Sequence, residues 1–340
     1  MQKEVKFYLG MDVSKQWLDI AVLAVIAHQK QSMVTERFDN TAQGIKALDR
    51  WLKKQSVRFD QHSLLVIENT GIYHRLIWQY CSAHHLPIYI GNATHIKWSF
   101  GIARGKTDKI DSQRLCDYAY RYGSDLKATP VLDPAFLQLK DLMTARSKLL
   151  KQLRGIQVYL KELRLTNDRH VQKIMEEAHK TAIAGLKKSL KLIEQHMRQV
   201  IATNAAIKVN YDLLITVPGI GHLTAIYLIC CTNNFAAKRS GKQVACYAGV
   251  VPFSHRSGTS IKGRDRVHKM ANKELKKLLH LCAMSAVKYY PEFRQYFERK
   301  KAEGKHPQSV LNAIRNKIVI RAAAVVNKQT PYVDNHKKAA

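Results

Sequence analysis

Acidic residues are scarce in this 340-residue chain: 26 Asp and Glu stand against 56 Lys and Arg, a net charge of +30. So large a surplus repels itself in the compact state, and its natural role is to meet a polyanion, nucleic acid before any other. Long apolar runs are missing too. No stretch of about 18 uncharged apolar residues is available to span a bilayer, so no membrane partner is expected. The opening Met-Gln-Lys-Glu-Val-Lys lacks the apolar core of a signal peptide. The expected location is the cytoplasm, on the nucleoid. No two of the six cysteines form a C-x-x-C pair, which argues against a zinc site or disulfides and for reduced, buried thiols. Neither a G-x-G-x-x-G nor a Walker sequence occurs, which excludes the usual phosphate-binding loops of kinases and ATPases.

Against that scarcity, four carboxylates hold positions that invite chemistry. Asp12 follows an apolar run in Tyr8-Leu-Gly-Met-Asp-Val-Ser-Lys15, and Glu68 follows another in Leu64-Leu-Val-Ile-Glu-Asn-Thr-Gly71. Asp108 and Asp111 lie three apart in the helix-forming Lys106-Thr-Asp-Lys-Ile-Asp-Ser112, a spacing that makes them neighbours on one helix face. Taken singly, each has an ordinary explanation: a turn residue, a helix cap, partners for Lys106, Lys109 and Arg114. Taken together, two strand ends and one helix face can meet at a sheet edge. Four carboxylates at one point repel unless cations lie between them. Two Mg²⁺ ions suit such a site, assisting attack at a phosphodiester and departure of the leaving oxygen.

The organisation supports that meeting. Residues 5–26 predict two strands joined around Ser14-Lys15-Gln16, residues 41–54 a helix behind Thr41, and Leu64 to Ile67 a short buried strand. A helix from about 73 to 84, a strand at 87–90 and a helix over 107–122 complete an α/β domain with a mixed sheet, 1–130. Residues 131–206 hold no proline after Pro134, and leucines recur at helical spacing among basic residues. That predicts long helices, a coiled coil or linker. A mainly helical third segment, 207–330, begins at Leu213-Leu-Ile-Thr-Val-Pro-Gly-Ile-Gly221. The pattern is helix-hairpin-helix-like, with Gly219 and Gly221 letting backbone N–H groups approach a phosphate. Residues 331–340 form a polar tail, expected to be disordered.

A glycine- and serine-containing stretch follows in the third segment, and Ser254, Ser257 and Ser260 lie in it among Arg256, Lys262, Arg264 and Arg266. A serine here is either a phosphate-contacting hydroxyl in a DNA-binding loop or a nucleophile whose target those cations polarise. The residues alone do not choose among the three serines. His255 and His268 are candidate general bases.

The succession Gly10-Met-Asp-Val-Ser-Lys15, Ile67-Glu-Asn-Thr-Gly71, Lys106-Thr-Asp-Lys-Ile-Asp111, Val217-Pro-Gly-Ile-Gly221, Tyr247-Ala-Gly-Val-Val-Pro252 and Arg256-Ser-Gly-Thr-Ser260 resembles the DEDD transposases of insertion-sequence family 110, which include the pilin-gene invertases. Asn69 departs from that family's usual Glu-Ala-Thr-Gly. The resemblance implies a RuvC-like, ribonuclease-H-like domain, a coiled coil and a C-terminal transposase domain. It implies Asp12, Glu68, Asp108 and Asp111 as a tetrad holding Mg²⁺, two per site, with Mn²⁺ as substitute. It also implies Ser257 as the nucleophile that becomes a covalent phosphoserine. The partners it implies are donor and target DNA, a structured bridge-type guide RNA, and further copies of the chain, a homodimer assembling to a tetramer. Two other readings stand beside it: a metal-dependent nuclease like the Holliday-junction resolvases, without a covalent intermediate, and a non-catalytic nucleic-acid-binding protein.

Overall fold

The computed structural model describes residues 5–101, 107–130, 133–166, 168–236, 238–257, 261–268 and 271–333, with backbone alone at 255–257, 261, 262 and 264. The chain divides into two compact units, 1–131 and 132–340.

The first unit is built on a mixed sheet. Strands β1 (Val5–Val13) and β2 (Trp17–Ile26) form the expected hairpin. Next come β3 (Gln29–Lys30), β4 (Val34–Asp39), α1 (Ala42–Lys54), β5 (Ser63–Glu68), α2 (Arg75–Ala83), β6 (Ile88–Gly91), α3 (Ala93–Ser99) and α4 (Asp108–Tyr122). The strand order is β3-β2-β1-β5-β6, with β4 also pairing β2. β1, β2 and β4 run antiparallel, whereas β5 and β6 run parallel to β1. Parallel neighbours need a crossover between them, and α1 and α2 occupy those two connections. Thr41 starts α1 as expected, its side chain accepting from the Gly44 N–H.

Strand alternation divides the residues of β1 between two faces. Phe7, Leu9, Met11 and Val13 are buried on one face. Tyr8, Gly10 and Asp12 share the other, where α4 packs on β1, β2 and β5. A close approach fixes that packing: a Cβ at Gly10 would lie 2.0 Å from the Cys116 backbone nitrogen and 2.4 Å from the Ser112 carbonyl oxygen. Only a residue without a side chain lets the helix sit so low. The Cys116 thiol adds a bond to the Tyr8 carbonyl at 3.1 Å, and Leu115, Cys116 and Ala119 are buried beneath α4.

The second unit opens with α5 (Pro134–Leu163) and α6 (Arg169–Thr203). They pack antiparallel, with ion pairs Arg146–Glu194 at 2.7 Å and Arg164–Glu176 at 2.9 Å. Phe136, Leu139, Met197, Val200 and Ile201 join the base of this pair to the core of the unit. That core also draws on α7 (Ala205–Ile215), α8 (His222–Thr232), α9 (Gly241–Tyr247), α10 (Lys273–Tyr289), α11 (Pro291–Ala302) and α12 (Pro307–Lys328). The stretch read as a glycine- and serine-containing loop instead forms a hairpin, β7 (Pro252–Ser257) with β8 (Ile261–Val267). In β8 basic residues recur at every second position (Lys262, Arg264, Arg266), a period-2 signal that the glycines and serines around it obscured. Among the described residues no helix is long and apolar enough to cross a membrane.

Candidate active site

Three adjacent strands line up the carboxylates. Asp12 stands opposite Asp19 in the β1–β2 register. The β1–β5 register pairs Met11 with Ile67, so Asp12 and Glu68 follow side by side at the ends of two parallel strands. Directly paired residues share a face, so Asp19, Asp12 and Glu68 form a row on the face that α4 covers. The first turn of α4 supplies Asp108 and Asp111. Thr107 caps that turn, its hydroxyl accepting from the Ile110 N–H at 3.2 Å, and the positive end of the helix dipole favours the two carboxylates there.

The crowding registers on Asp12. Burial first, then the charges of Asp108, Asp111, Glu68 and Asp19, push its carboxyl from 3.8 up to about 6. Two guanidiniums meet the same group. Arg114 contacts Asp111 at 3.1 Å. Arg37 reaches Asp19 through Nε and Asp108 through Nη2, each at 2.9 Å. Among the described residues no three His, Cys, Asp or Glu side chains are grouped as a metal-binding set. The donors nonetheless fit a hard divalent ion in kind, all of them carboxylates, and they are near enough for four to raise the affinity of a fifth for its proton. Asp19 and Arg37 were not anticipated from the sequence. Counting outward from a turn at Ser14–Gln16 would put Leu18 opposite Asp12; the observed register, with Trp17 also in the connection before the first pair Val13–Leu18, brings Asp19 there instead.

The other expected site residues are spread over both units. Ser257 is the last residue of β7, its backbone paired with Ile261 in the second unit. Ser260 and Lys106 fall outside the described residues, and Ser254 is exposed on β7. Arg256 pairs with Lys262, and Arg266 with Phe253, and the register of the hairpin shifts between those two pairs. Lys109 is exposed on α4. In the Pro-Gly turn between α7 and α8 the two glycines differ. Gly219, at φ +86°, packs against α10, where a Cβ would meet the Cys282 carbonyl oxygen at 2.7 Å. Gly221 is the N-cap of α8 with open space around it.

A mixed sheet with carboxylates gathered at its strand ends suits phosphodiester chemistry, and comparison with known proteins gives the class: this is a DNA transposase. Residues 9–166 match the DEDD transposase model of the IS110 type, and residues 211–298 match the model described as "Transposase IS116/IS110/IS902 family". The chain belongs to the IS110 family of insertion-sequence transposases, enzymes that cut and rejoin DNA. It is similar to the pilin gene-inverting protein of Moraxella bovis, at 27% identity over 96% of this chain and 98% of that protein. The protein of the same name from Moraxella lacunata is 26% identical over the same shares. An IS110 protein from Streptomyces coelicolor is 30% identical over 142 residues, 41% of this chain and 35% of that protein.

Proposed function

We propose that this transposase cuts and rejoins DNA through a covalent phosphoserine at Ser257, with Asp12, Glu68, Asp108 and Asp111 holding divalent metal, Mg²⁺ by preference, under the guidance of an element-derived structured RNA. The grouping of Asp12 with Glu68 and with both acids of α4 carries the metal reading. An Asp raised to about 6 by burial and then by its acidic neighbours is a site that a cation relieves. The strand order, three antiparallel strands followed by two parallel ones, supports a ribonuclease-H-like, RuvC-like domain.

When bound, the metal supplies Lewis-acid stabilisation of charge on the phosphodiester. The chain does the rest. The Ser257 oxygen attacks phosphorus, one P–O bond of the strand breaks, and the leaving DNA oxygen takes up a proton as the serine gives one up. Attack by a DNA hydroxyl on the phosphoserine reverses these changes, releasing Ser257 and joining the new strand. Basic residues around the hairpin, Arg256, Lys262, Arg264 and Arg266, hold the phosphate backbone, with Lys106, Lys109 and the N–H groups near Gly219 and Gly221 as further contacts. We place the domain limits at 1–130, 131–206 and 207–330, with the protein working as a homodimer that assembles to a tetramer.

The test is an adduct assay. Full-length protein, element RNA and labelled DNA are incubated with Mg²⁺, denatured and resolved. Protein-bound DNA lost in Ser257→Ala supports the recombinase. Cleavage that persists in Ser257→Ala but disappears in Asp12→Ala identifies a nuclease that uses water instead.

A further inference from the structure

Arg37 is the residue whose placement the tetrad does not explain. β4 pairs with β2 so that Arg37 stands opposite Asp19, extending the row of Asp19, Asp12 and Glu68 to a fourth strand. Its side chain passes Trp17, the guanidinium carbon 5.7 Å from that ring's centre. Its fork then divides: Nε bonds Asp19 Oδ1 and Nη2 bonds Asp108 Oδ2, both at 2.9 Å. The two bonds differ in depth. The Asp19 side chain is 9% exposed, that of Asp108 52% and that of Arg37 47%. One arm is anchored in the sheet and the other meets a solvent-facing carboxylate at the start of α4.

A rigid guanidinium fork suits this bridging, since it can satisfy two carboxylates on different elements at once. It also places a positive charge where the acids repel. Asp108 cannot give the same lone pairs to the guanidinium and to a metal, and the two cations repel each other at close range. The part-buried bond to Asp19 keeps the arginine at hand whichever partner Asp108 takes.

We propose that Arg37 is a built-in counter-cation of the acidic site, holding Asp108 through Nη2 and yielding that carboxylate to a divalent ion while Nε stays on Asp19. This rests on the reading of Asp12, Glu68, Asp108 and Asp111 as metal ligands. Arg37 then sets the metal affinity by competition. Its removal strengthens divalent binding, whereas an Arg37 that served to orient Asp108 toward the ion would weaken binding when lost.

The measurement is Mn²⁺ binding to the full-length protein without nucleic acid, followed through the electron paramagnetic resonance signal of free Mn²⁺. Arg37→Gln is expected to bind Mn²⁺ about two- to fivefold more tightly than the parent, the scale of one exposed charge pair lost as competitor. Arg37→Lys, which keeps the charge without the fork, falls between. Arg37→Met keeps the apolar stem on Trp17 and decides the matter if circular dichroism shows the Gln variant misfolded. Equal or weaker binding in the folded variant overturns the proposal. Asp108→Asn separates the two levels. If it leaves Mn²⁺ affinity intact, the ligand reading fails and the counter-cation with it. If it weakens binding while Arg37→Gln brings no gain, the counter-cation alone is lost.

Discussion

Asp12 shows how much a single carboxylate reports about its neighbours. Its carboxyl stands at about 6 in the folded chain against an ordinary 3.8. The folded state therefore holds that proton more tightly than the unfolded state does. The contribution to stability is fully present below the ordinary value and is lost as pH rises through about 6. With chelator present, Asp12→Asn should gain stability relative to the parent as pH goes from about 4 to about 7, read as the difference in urea midpoint. A difference that stays flat over this range would show that burial and the neighbouring acids do not raise the Asp12 carboxyl. The sequence made Asp12, Glu68, Asp108 and Asp111 visible because each ends an apolar strand or repeats on one helix face. Asp19 stayed hidden inside Trp17-Leu-Asp-Ile-Ala21, where it looks like a polar interruption of a strand. Arg37 was hidden for a different reason. Its role depends on β4, whose residues are all exposed or half-buried and carry no strong apolar signal.

Among the elements, α4 decides whether the acids meet, and Gly10 decides how close α4 comes. Gly10→Ala puts a methyl into helix backbone, so it should cost about 3 kcal/mol or more in unfolding free energy. It should also lift Asp108 and Asp111 away from Asp12. In whatever fraction stays folded, Asp12 should titrate closer to an ordinary carboxylate by nuclear magnetic resonance. The contrast lies in the α5–α6 pair. Gly155 and Gly185 are exposed in helix interiors, and a Cβ at either meets nothing within 4 Å. Changing each to alanine should stabilise its helix by up to about 1 kcal/mol, seen as a raised denaturation midpoint. These long helices were legible from their periodicity, as were the β1–β2 hairpin and the α1 cap. The β7–β8 hairpin was not, because glycine and serine beside Ser257 read as loop until the partner strand is known.

For the whole molecule, the +30 charge was the plainest message of the sequence, and it speaks of partners rather than of fold. Affinity for DNA or RNA should fall steeply with salt, by about 10³ or more between 50 and 200 mM if six or more phosphates are contacted. A flat curve in a filter-binding series would remove phosphate contact as the reason for the charge. The sequence did not reveal how unevenly chemistry and charge are divided. Every acid that perturbs Asp12 (Asp108, Asp111, Glu68 and Asp19) lies within residues 1–131, while most of the lysines and arginines lie in the other unit. The carboxylates of the site are thus separable from most of the positive charge. A fragment ending near residue 131 should fold around its own sheet and retain the Asp12 midpoint of about 6, freed from most of the polycation. In such a fragment metal binding becomes a small-domain titration, removed from most of the positive charge that draws nucleic acid.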